Sequence, residues 1–147
     1  MDFNEIADGT SRPLDLVRLG ALESLHRQLR PHLPPDYVGY MKLVLGHGVG
    51  MVALHVDGKP HALAVWRVYH NTSKGHRLYV DDLVADEAVR STGAGGALLD
   101  WLEAKARSFG CDVIDLDSGT HRTRAHRFYF RQGFHIGAFA FSKSLKG

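Results

Sequence analysis

The chain has 147 residues, of which 44% are apolar and 23% charged, and its formal net charge is +2. This length and composition predict one globular domain over residues 1–147. The mild charge, without a basic run interleaved with aromatics, argues against a nucleic-acid partner, and no apolar run is long enough to suggest a membrane span. The single cysteine, Cys111, excludes an internal disulfide and leads us to expect a cytoplasmic protein.

In chain order, the hydrophobic pattern predicts two helices before any strand. The first begins at Ser11 as N-cap and carries an apolar stripe to Leu29, and the second runs from about Pro35 to Gly46. Residues 51–56 and 61–69 then read as two strands. Because Asp57-Gly58 lies between them, a hairpin is predicted.

The second half of the chain alternates strands with helices. We expect a strand at 76–85, a long helix ending at Gly110, a strand at 111–117, a helix at 121–132 and a closing strand at 134–141. The strand, helix, strand order calls for a right-handed crossover and parallel pairing of the two strands that it joins. The chain is therefore predicted to be an α/β domain with a mixed sheet.

The most distinctive segment joins the strand at 76–85 to the long helix. It is a basic, glycine-rich turn with the sequence Arg90-Ser91-Thr92-Gly93-Ala94-Gly95-Gly96. Glycines let backbone approach a ligand closely, and the first turn of a helix offers unpaired N–H groups and partial positive charge. No acid occurs from Arg90 to Leu99. The partial positive charge of the helix N-terminus is therefore not compensated by the chain itself and can bind the anion of a ligand. The turn favours phosphate binding, although a plain strand-to-helix connection is the alternative.

Two motifs at this separation resemble those of the GCN5-related N-acetyltransferase (GNAT) family. The signature of Gln or Arg, two residues, Gly, one residue, and Gly or Ala is matched at 90–95. The motif of Ala, two residues, Phe-Tyr, three residues and Gly-Phe is matched at 125–134, but Arg122 stands where many members have Asn. The resemblance implies an acyl-CoA N-acyltransferase fold with helices on both faces of a mostly antiparallel sheet, in which a central parallel pair splays around the cofactor.

The resemblance also implies an activity, the transfer of acetyl from acetyl-coenzyme A to a primary amine within a ternary complex, without a metal. The backbone of Leu83 and Val84 would hold the pantetheine arm, and Tyr129 would donate its proton to the departing thiolate. The other implied coenzyme-binding residues are Arg90, Ser91, Thr92, Gly93, Ala94, Gly95, Gly96, Ala125 and Phe128. A non-catalytic sensor that binds acyl-coenzyme A is the alternative function.

By the same resemblance, Asp81 or Asp82 would take the amine proton, directly or through water. Strand alternation places them on opposite faces, so only one enters the cleft unless a bulge intervenes, and we favour Asp81. Because an Asp titrates near about 4, proton abstraction would require a raised pKa, whereas attraction of a cationic acceptor would not. A solvated strand end, or an ion pair with Arg67 or Arg77, is the alternative role for each.

Other chemistry-bearing residues have simpler interpretations. Tyr129 also fits a core aromatic, and Cys111 fits a small buried hydrophobe better than a nucleophile. His121 and His126 are five apart, so they do not share a helix face as metal ligands would. The carboxylates favour a small cationic amine as acceptor, with protein amines left open, and the aromatic strand at 134–141 suggests a homodimer.

Overall fold

The computed structural model describes residues 1–10, 14–90 and 92–147, so the predicted N-cap Ser11 and the predicted coenzyme contact Ser91 lie outside the described residues. The chain forms two compact units, Met1–Leu116 and Asp117–Gly147. Across the described ranges, no helix combines the length and the apolar character needed to cross a bilayer.

The first unit is built on a five-stranded sheet in the order β1-β2-β3-β4-β5. All neighbours are antiparallel except β4 and β5, which are parallel. The predicted mixed α/β fold is thereby confirmed. Its elements are β1 (Asp2–Asp8), α1 (Leu16–Ala21), α2 (Glu23–Leu29), α3 (Tyr37–Leu45), β2 (Gly50–Val56), β3 (Lys59–Asn71), β4 (Gly75–Ala85), a 3-10 turn (Glu87–Val89), α4 (Ala94–Ser108) and β5 (Val113–Leu116).

Helices cover both faces of this sheet. Leu63 and Val65 of β3 belong to a buried cluster with Met41 of α3 and other apolar residues of α1–α3. Because strand residues alternate, Trp66 lies on the opposite face, where its ring is 6.1 Å from that of Phe109 at the end of α4. The sheet thus has an α1–α3 face and an α4 face.

The sequence pattern does not indicate β1, and it predicts one helix where α1 and α2 are separate. Only Ile6 and Ala7 of β1 are buried, so the alternation that marks a strand is too short to recognise. The predicted hairpin is confirmed: Asp57 and Gly58 both have positive φ, of 51° and 75°, as a tight turn between twisted strands requires.

The second unit contains α5 (Thr123–Arg131), and Gly133, two residues after the helix, has a φ of +90°. The predicted closing strand at 134–141 is wrong, because residues 134–147 have no regular secondary structure. The β propensity of Phe and Ile does not make a strand without a neighbouring chain to complete the hydrogen-bond ladder. The parallel pair therefore lies at an edge of the described sheet and not at its centre.

Candidate active site

A β-bulge on β4 brings both carboxylates to one cavity. Val65 of β3 pairs with Asp82 and the next residue, Trp66, pairs with Val80, so Asp81 is the extra residue. The bulge interrupts the alternation of side chains, and Asp81 and Asp82 both line the cavity on the α1–α3 face. The bulge that the alternation argument left open is therefore present, and both carboxylates reach the cavity.

Asp82 is held by side chains from the end of α2. His26 Nε2 donates to Oδ2 at 2.7 Å, and Arg30 Nε donates to Oδ1 at 2.9 Å. His26 is 1% exposed, and its Nδ1 lies 2.8 Å from the hydroxyl of Tyr37 on α3. In the neutral ring, Nε2 carries the hydrogen, so Nδ1 accepts the hydroxyl hydrogen of Tyr37. A phenol, an imidazole and a carboxylate thus form one buried chain of hydrogen bonds.

This network keeps Asp82 ionised. Burial alone would raise the pKa of Asp82, but hydrogen bonds from His26 and Arg30, with the positive charge of Arg30, outweigh burial and hold the pKa below its usual value. Burial also raises the pKa of the Tyr37 hydroxyl, so that group remains protonated. Asp82 is therefore a stable anion with little capacity as a base.

Asp81 is neutralised by a different arginine. Arg67 Nε donates to Oδ2 at 2.7 Å and its Nη2 donates to Oδ1 at 2.9 Å, a bidentate pair. The guanidinium also lies 5.2 Å from the ring centroids of Tyr69 and Tyr79, which limit its movement. The sequence analysis gives this ion pair as an alternative role for Asp81. Each carboxylate of the pair therefore has its own arginine.

The cavity beside these carboxylates is formed within the first unit. Its volume is about 220 Å³, which corresponds to about seven water molecules at their liquid volume of about 30 Å³ each. Its lining includes both apolar and polar side chains, so a small amphiphilic molecule fits its chemistry. The lining residues are His26, Arg30, His32, Leu33, Tyr40, Met41, Val44, Val65, Asp81 and Asp82.

The glycine turn leads from β4 into α4. Gly93 is the N-cap of α4 with a φ of +86°, and a Cβ there would meet no atom within 4 Å. Backbone conformation, and not crowding, is thus the reason for glycine at this position. The helix has neither a side-chain cap nor an acidic residue in its first turn. Its first N–H groups therefore retain the capacity to bind an anion.

The end of β4 has an unpaired outer edge. β5 pairs with β4 only from Arg77 to Val80. Among the described residues of the first unit, the β5-facing edge of β4 has no ladder partner beyond Val80. Leu83 and Val84 lie in this stretch with buried side chains. The backbone groups of this stretch that face the open edge are suited to hydrogen-bond an extended ligand, the role that the family resemblance implies for Leu83 and Val84.

In the second unit, the predicted general acid lies among aromatic rings. Tyr129 is half-buried on α5, and its ring centroid is 5.3 Å from that of Phe128 and 5.9 Å from that of Phe134. Burial raises the pKa of Tyr129, Arg122 opposes the shift and Asp117 adds to it. At neutral pH this side chain is a phenol with a proton to donate. The aromatic contacts also suit a packing role.

Three further residues lie outside the carboxylate network and the glycine turn. Arg122 is the N-cap residue of α5 and makes no side-chain cap, a bond that Asn would be suited to make. His126 Nε2 lies 2.8 Å from the carbonyl oxygen of Gly119. Burial raises the pKa of Cys111, which disfavours the nucleophilic thiolate. Over the described ranges, no group of three or more His, Cys, Asp or Glu is arranged to hold a metal ion.

Comparison with known proteins identifies the family. The family model described as "Acetyltransferase (GNAT) family" matches residues 19–134. The chain belongs to the GNAT family. It is 31% identical over 113 residues to the aminoalkylphosphonate N-acetyltransferase of Salmonella typhimurium, covering 77% of this chain and 66% of that protein. Over 73 residues it is 42% identical to the uncharacterized N-acetyltransferase YhdJ of Bacillus subtilis, covering 49% of this chain and 51% of that protein.

A solved structure has the same GNAT fold. The aminoglycoside N-acetyltransferase AAC(6')-Iy, crystallised with CoA, is similar with a TM-score of 0.82 over 99% of this chain and 95% of its own. At 15% identity this likeness concerns the fold alone.

Sequence reasoning on this GNAT chain missed three residues of the carboxylate network, His26, Arg30 and Tyr37. His26 follows Leu25 directly and comes four residues after Leu22, so it lies beside the apolar stripe that packs on the sheet. A histidine in that position was the available signal, because a buried polar side chain needs a partner. Its partner, Asp82, is 56 residues away in sequence and cannot be identified from local pattern.

Proposed function

We propose that this GNAT chain transfers acetyl from acetyl-coenzyme A to the primary amine of a small molecule, by direct transfer in a ternary complex. The observation that carries the proposal is the order of features along the first unit. A cavity lined by two carboxylates lies beside β4, and the end of β4 leads into an uncapped, glycine-rich helix N-terminus. The names of the relatives, an aminoalkylphosphonate and an aminoglycoside N-acetyltransferase, support a small amine as acceptor.

The glycine turn is proposed to bind the pyrophosphate of the coenzyme. The first-turn amides of α4, a turn that carries no acidic side chain, fit a doubly charged phosphate group. The backbone of Leu83 and Val84 would orient the pantetheine arm, and the half-buried Ala125 and Phe128 would contact it. Arg90, Thr92 and Ser91 complete the predicted phosphate contacts. When bound, the coenzyme supplies the thioester that is the acetyl donor.

In the proposed reaction, the amine nitrogen attacks the thioester carbonyl. The new C–N bond forms, the C–S bond breaks, and the sulfur leaves with a proton from the Tyr129 hydroxyl. Since Asp82 is held ionised by His26 and Arg30, we propose that the carboxylates bind and orient the amine while water removes its proton. Asp81, paired with Arg67, acts in the same way.

The direct test is the release of free thiol from acetyl-coenzyme A in the presence of a panel of small primary amines. We expect at least one amine to accelerate release well above the rate of hydrolysis, with a matching amount of acetylated amine by mass spectrometry. If no amine accelerates release, the proposed transfer is wrong, and coenzyme A binding without turnover would favour the sensor.

We further propose that the protein is a cytoplasmic homodimer. A single cysteine suits a reducing compartment. The segment after α5 exposes 66% of Ile136, 79% of Phe139 and 93% of Phe141, an apolar surface that suits association between copies. Sedimentation velocity is expected to show a dimer, which Phe139→Ser together with Phe141→Ser should dissociate. A wild-type protein that sediments only as a monomer would contradict the proposed dimer.

A further inference from the structure

The charges beside the cavity are balanced. Asp81 is paired with Arg67, and Asp82 is paired with Arg30, so each carboxylate has one guanidinium. A balanced cluster attracts a lone ammonium weakly, because the arginines repel it as the carboxylates attract it. An acceptor with an acidic group as well as an amine would offer a partner to both signs of charge in the cluster.

Arg30 has a donor that the carboxylates do not use. Its Nε donates to Asp82 and its Nη2 to the carbonyl oxygen of Asp81 at 3.1 Å. Among the described residues, its Nη1 donates no hydrogen bond to the protein. The side chain is 39% exposed and lines the cavity, so Nη1 is accessible to a bound molecule. A guanidinium is well suited to carboxylate and phosphonate oxygens.

His32 contributes a second donor to the same cavity. It is exposed and follows Arg30 by two residues, in the connection between α2 and α3. Its imidazole has an N–H donor in both protonation states, so it can bind an anion without a change of charge. The neighbouring wall of Leu33 and Val44 suits the methylene groups of a short linker.

We propose that the acceptor of this GNAT chain carries a carboxylate or phosphonate a few bonds from its primary amine, and that Arg30 and His32 bind that acidic group. The linker is short because Arg30 contacts both Asp81 and Asp82, so the sites for the acid and for the amine adjoin each other. The cavity of about 220 Å³ suits a molecule of this size. The inference rests on the proposed function and names its substrate class.

The first test compares amines of matched length with and without the acidic group. Thiol release is measured with 2-aminoethylphosphonate, with β-alanine and with propylamine, and kcat/KM is compared. We expect at least one acid-bearing amine to exceed propylamine by about tenfold or more, since the charge-assisted contact with Arg30 Nη1 and the hydrogen bond from His32 are lost without the acid. The two acids differ only in their head group, so their ratio identifies the preferred one.

The outcomes of this comparison distinguish a failure of the substrate-class inference from a failure of the proposed function. Equal rates for all three amines, or the highest rate for propylamine, overturn the inference and leave the proposed function standing. No amine-dependent release with any primary amine of the panel overturns the proposed function, and the inference with it.

The second test separates a direct role of Arg30 from its contact with Asp82. Arg30→Gln is expected to slow both classes of amine, but the acid-bearing amine should lose about tenfold more, mainly through a higher KM. Arg30→Lys keeps the charge and should restore part of that extra loss. An equal loss for both classes would mean that Arg30 acts only by positioning Asp82, and would contradict the inference.

His32 gives a cleaner variant because it holds neither carboxylate. His32→Gln is expected to raise KM for the acid-bearing amine several-fold and to change KM for propylamine much less. His47→Gln, an exposed histidine after α3, is the matched control and should change neither rate. An unchanged KM in His32→Gln would remove His32 from the proposed site.

Discussion

The glycine turn and the carboxylate network are consecutive parts of the first unit, and they satisfy their polar groups in opposite ways. Gly93 begins α4 without a side-chain cap, so the first N–H groups of the helix retain unused capacity. In the network, both Asp81 and Asp82 are already bound to arginines. The turn therefore has backbone donors that an anion could use, whereas the carboxylates of the network already have partners. Substitutions in the turn should mainly change ligand binding, and substitutions in the network should mainly change stability.

The largest effect is expected at Tyr129. In the proposed reaction the departing thiolate takes its proton from the Tyr129 hydroxyl, since Asp82 is held ionised and has no proton to donate at neutral pH. Tyr129→Phe should lower kcat about 100-fold or more and leave coenzyme A affinity nearly unchanged. Thiol release and calorimetric titration with coenzyme A measure the two quantities.

Tyr69→Phe is the matched control for this variant, because it keeps the aromatic ring beside Arg67 and should retain activity. Full activity in Tyr129→Phe would exclude the general acid role. A wild-type protein that binds coenzyme A without any turnover would instead favour the sensor function.

The next largest effect is expected at Asp82. Asp82→Asn removes the negative charge between His26 and Arg30 and should reduce the free energy of unfolding at pH 7 by about 2 kcal/mol, because hydrogen bonds to a charged group are lost. Urea denaturation measures the change. Asp100→Asn on the exposed side of α4 is the control and should stay within about 0.5 kcal/mol of wild type.

The difference in free energy of unfolding between wild type and Asp82→Asn should also depend on pH. Its sign follows from the lowered pKa of Asp82. A carboxyl whose folded pKa lies below its unfolded value contributes its full stabilisation above the unfolded pKa of about 4 and loses it as the pH falls through the folded value. The advantage of wild type over Asp82→Asn should therefore be constant from about pH 5 to 8 and shrink below about pH 4. A difference that grows on acidification would contradict the network.

A smaller effect is expected in the glycine turn, where two glycines form a matched pair. Gly93 and Gly58 have φ of +86° and +75°, and a Cβ at either would meet nothing within 4 Å. Alanine at each should cost about 1–2 kcal/mol through backbone strain. Only Gly93→Ala should also weaken coenzyme A binding, by about fivefold or more, because it disturbs the first turn of α4. Equal coenzyme A affinity in the two variants would mean that the glycine turn does not bind the phosphate.

The smallest effect is expected at Tyr37. Tyr37→Phe leaves the ring in place but removes the hydroxyl that His26 contacts, which should cost about 1 kcal/mol. Tyr40→Phe, on the exposed side of α3, should change the free energy of unfolding by less than about 0.5 kcal/mol. If Tyr37→Phe leaves the free energy of unfolding unchanged, the carboxylate network ends at His26.

The two regions also differ in how far sequence predicts them. The glycine turn is made by neighbours in the chain, so the spacing of glycines and the lack of acids indicate it directly. The network joins Asp82 to residues 52 and 56 positions away, and the bulge at Asp81 depends on pairing with β3, so neither leaves a local pattern. The sequence analysis identifies only the ion pair with Arg67 as an alternative. Arg67 lies 14 positions from Asp81, on the adjacent strand.

The errors in the predicted fold have the same origin. Most strands and helices were predicted close to their observed bounds, because their apolar periodicity is strong. β1 is a half-exposed edge strand with a short buried run, and the segment at 134–141 has strand-like composition without a ladder partner in the described chain. In both cases pairing with another segment, and not composition, decides whether a strand forms.

The measurement that tests the proposed reaction most directly is two-substrate initial-rate kinetics, with acetyl-coenzyme A and an acid-bearing amine varied together. Direct transfer in a ternary complex predicts amine-dependent thiol release and double-reciprocal lines that intersect. Parallel lines would indicate an acetylated enzyme intermediate, and release that does not depend on the amine would contradict the proposed function.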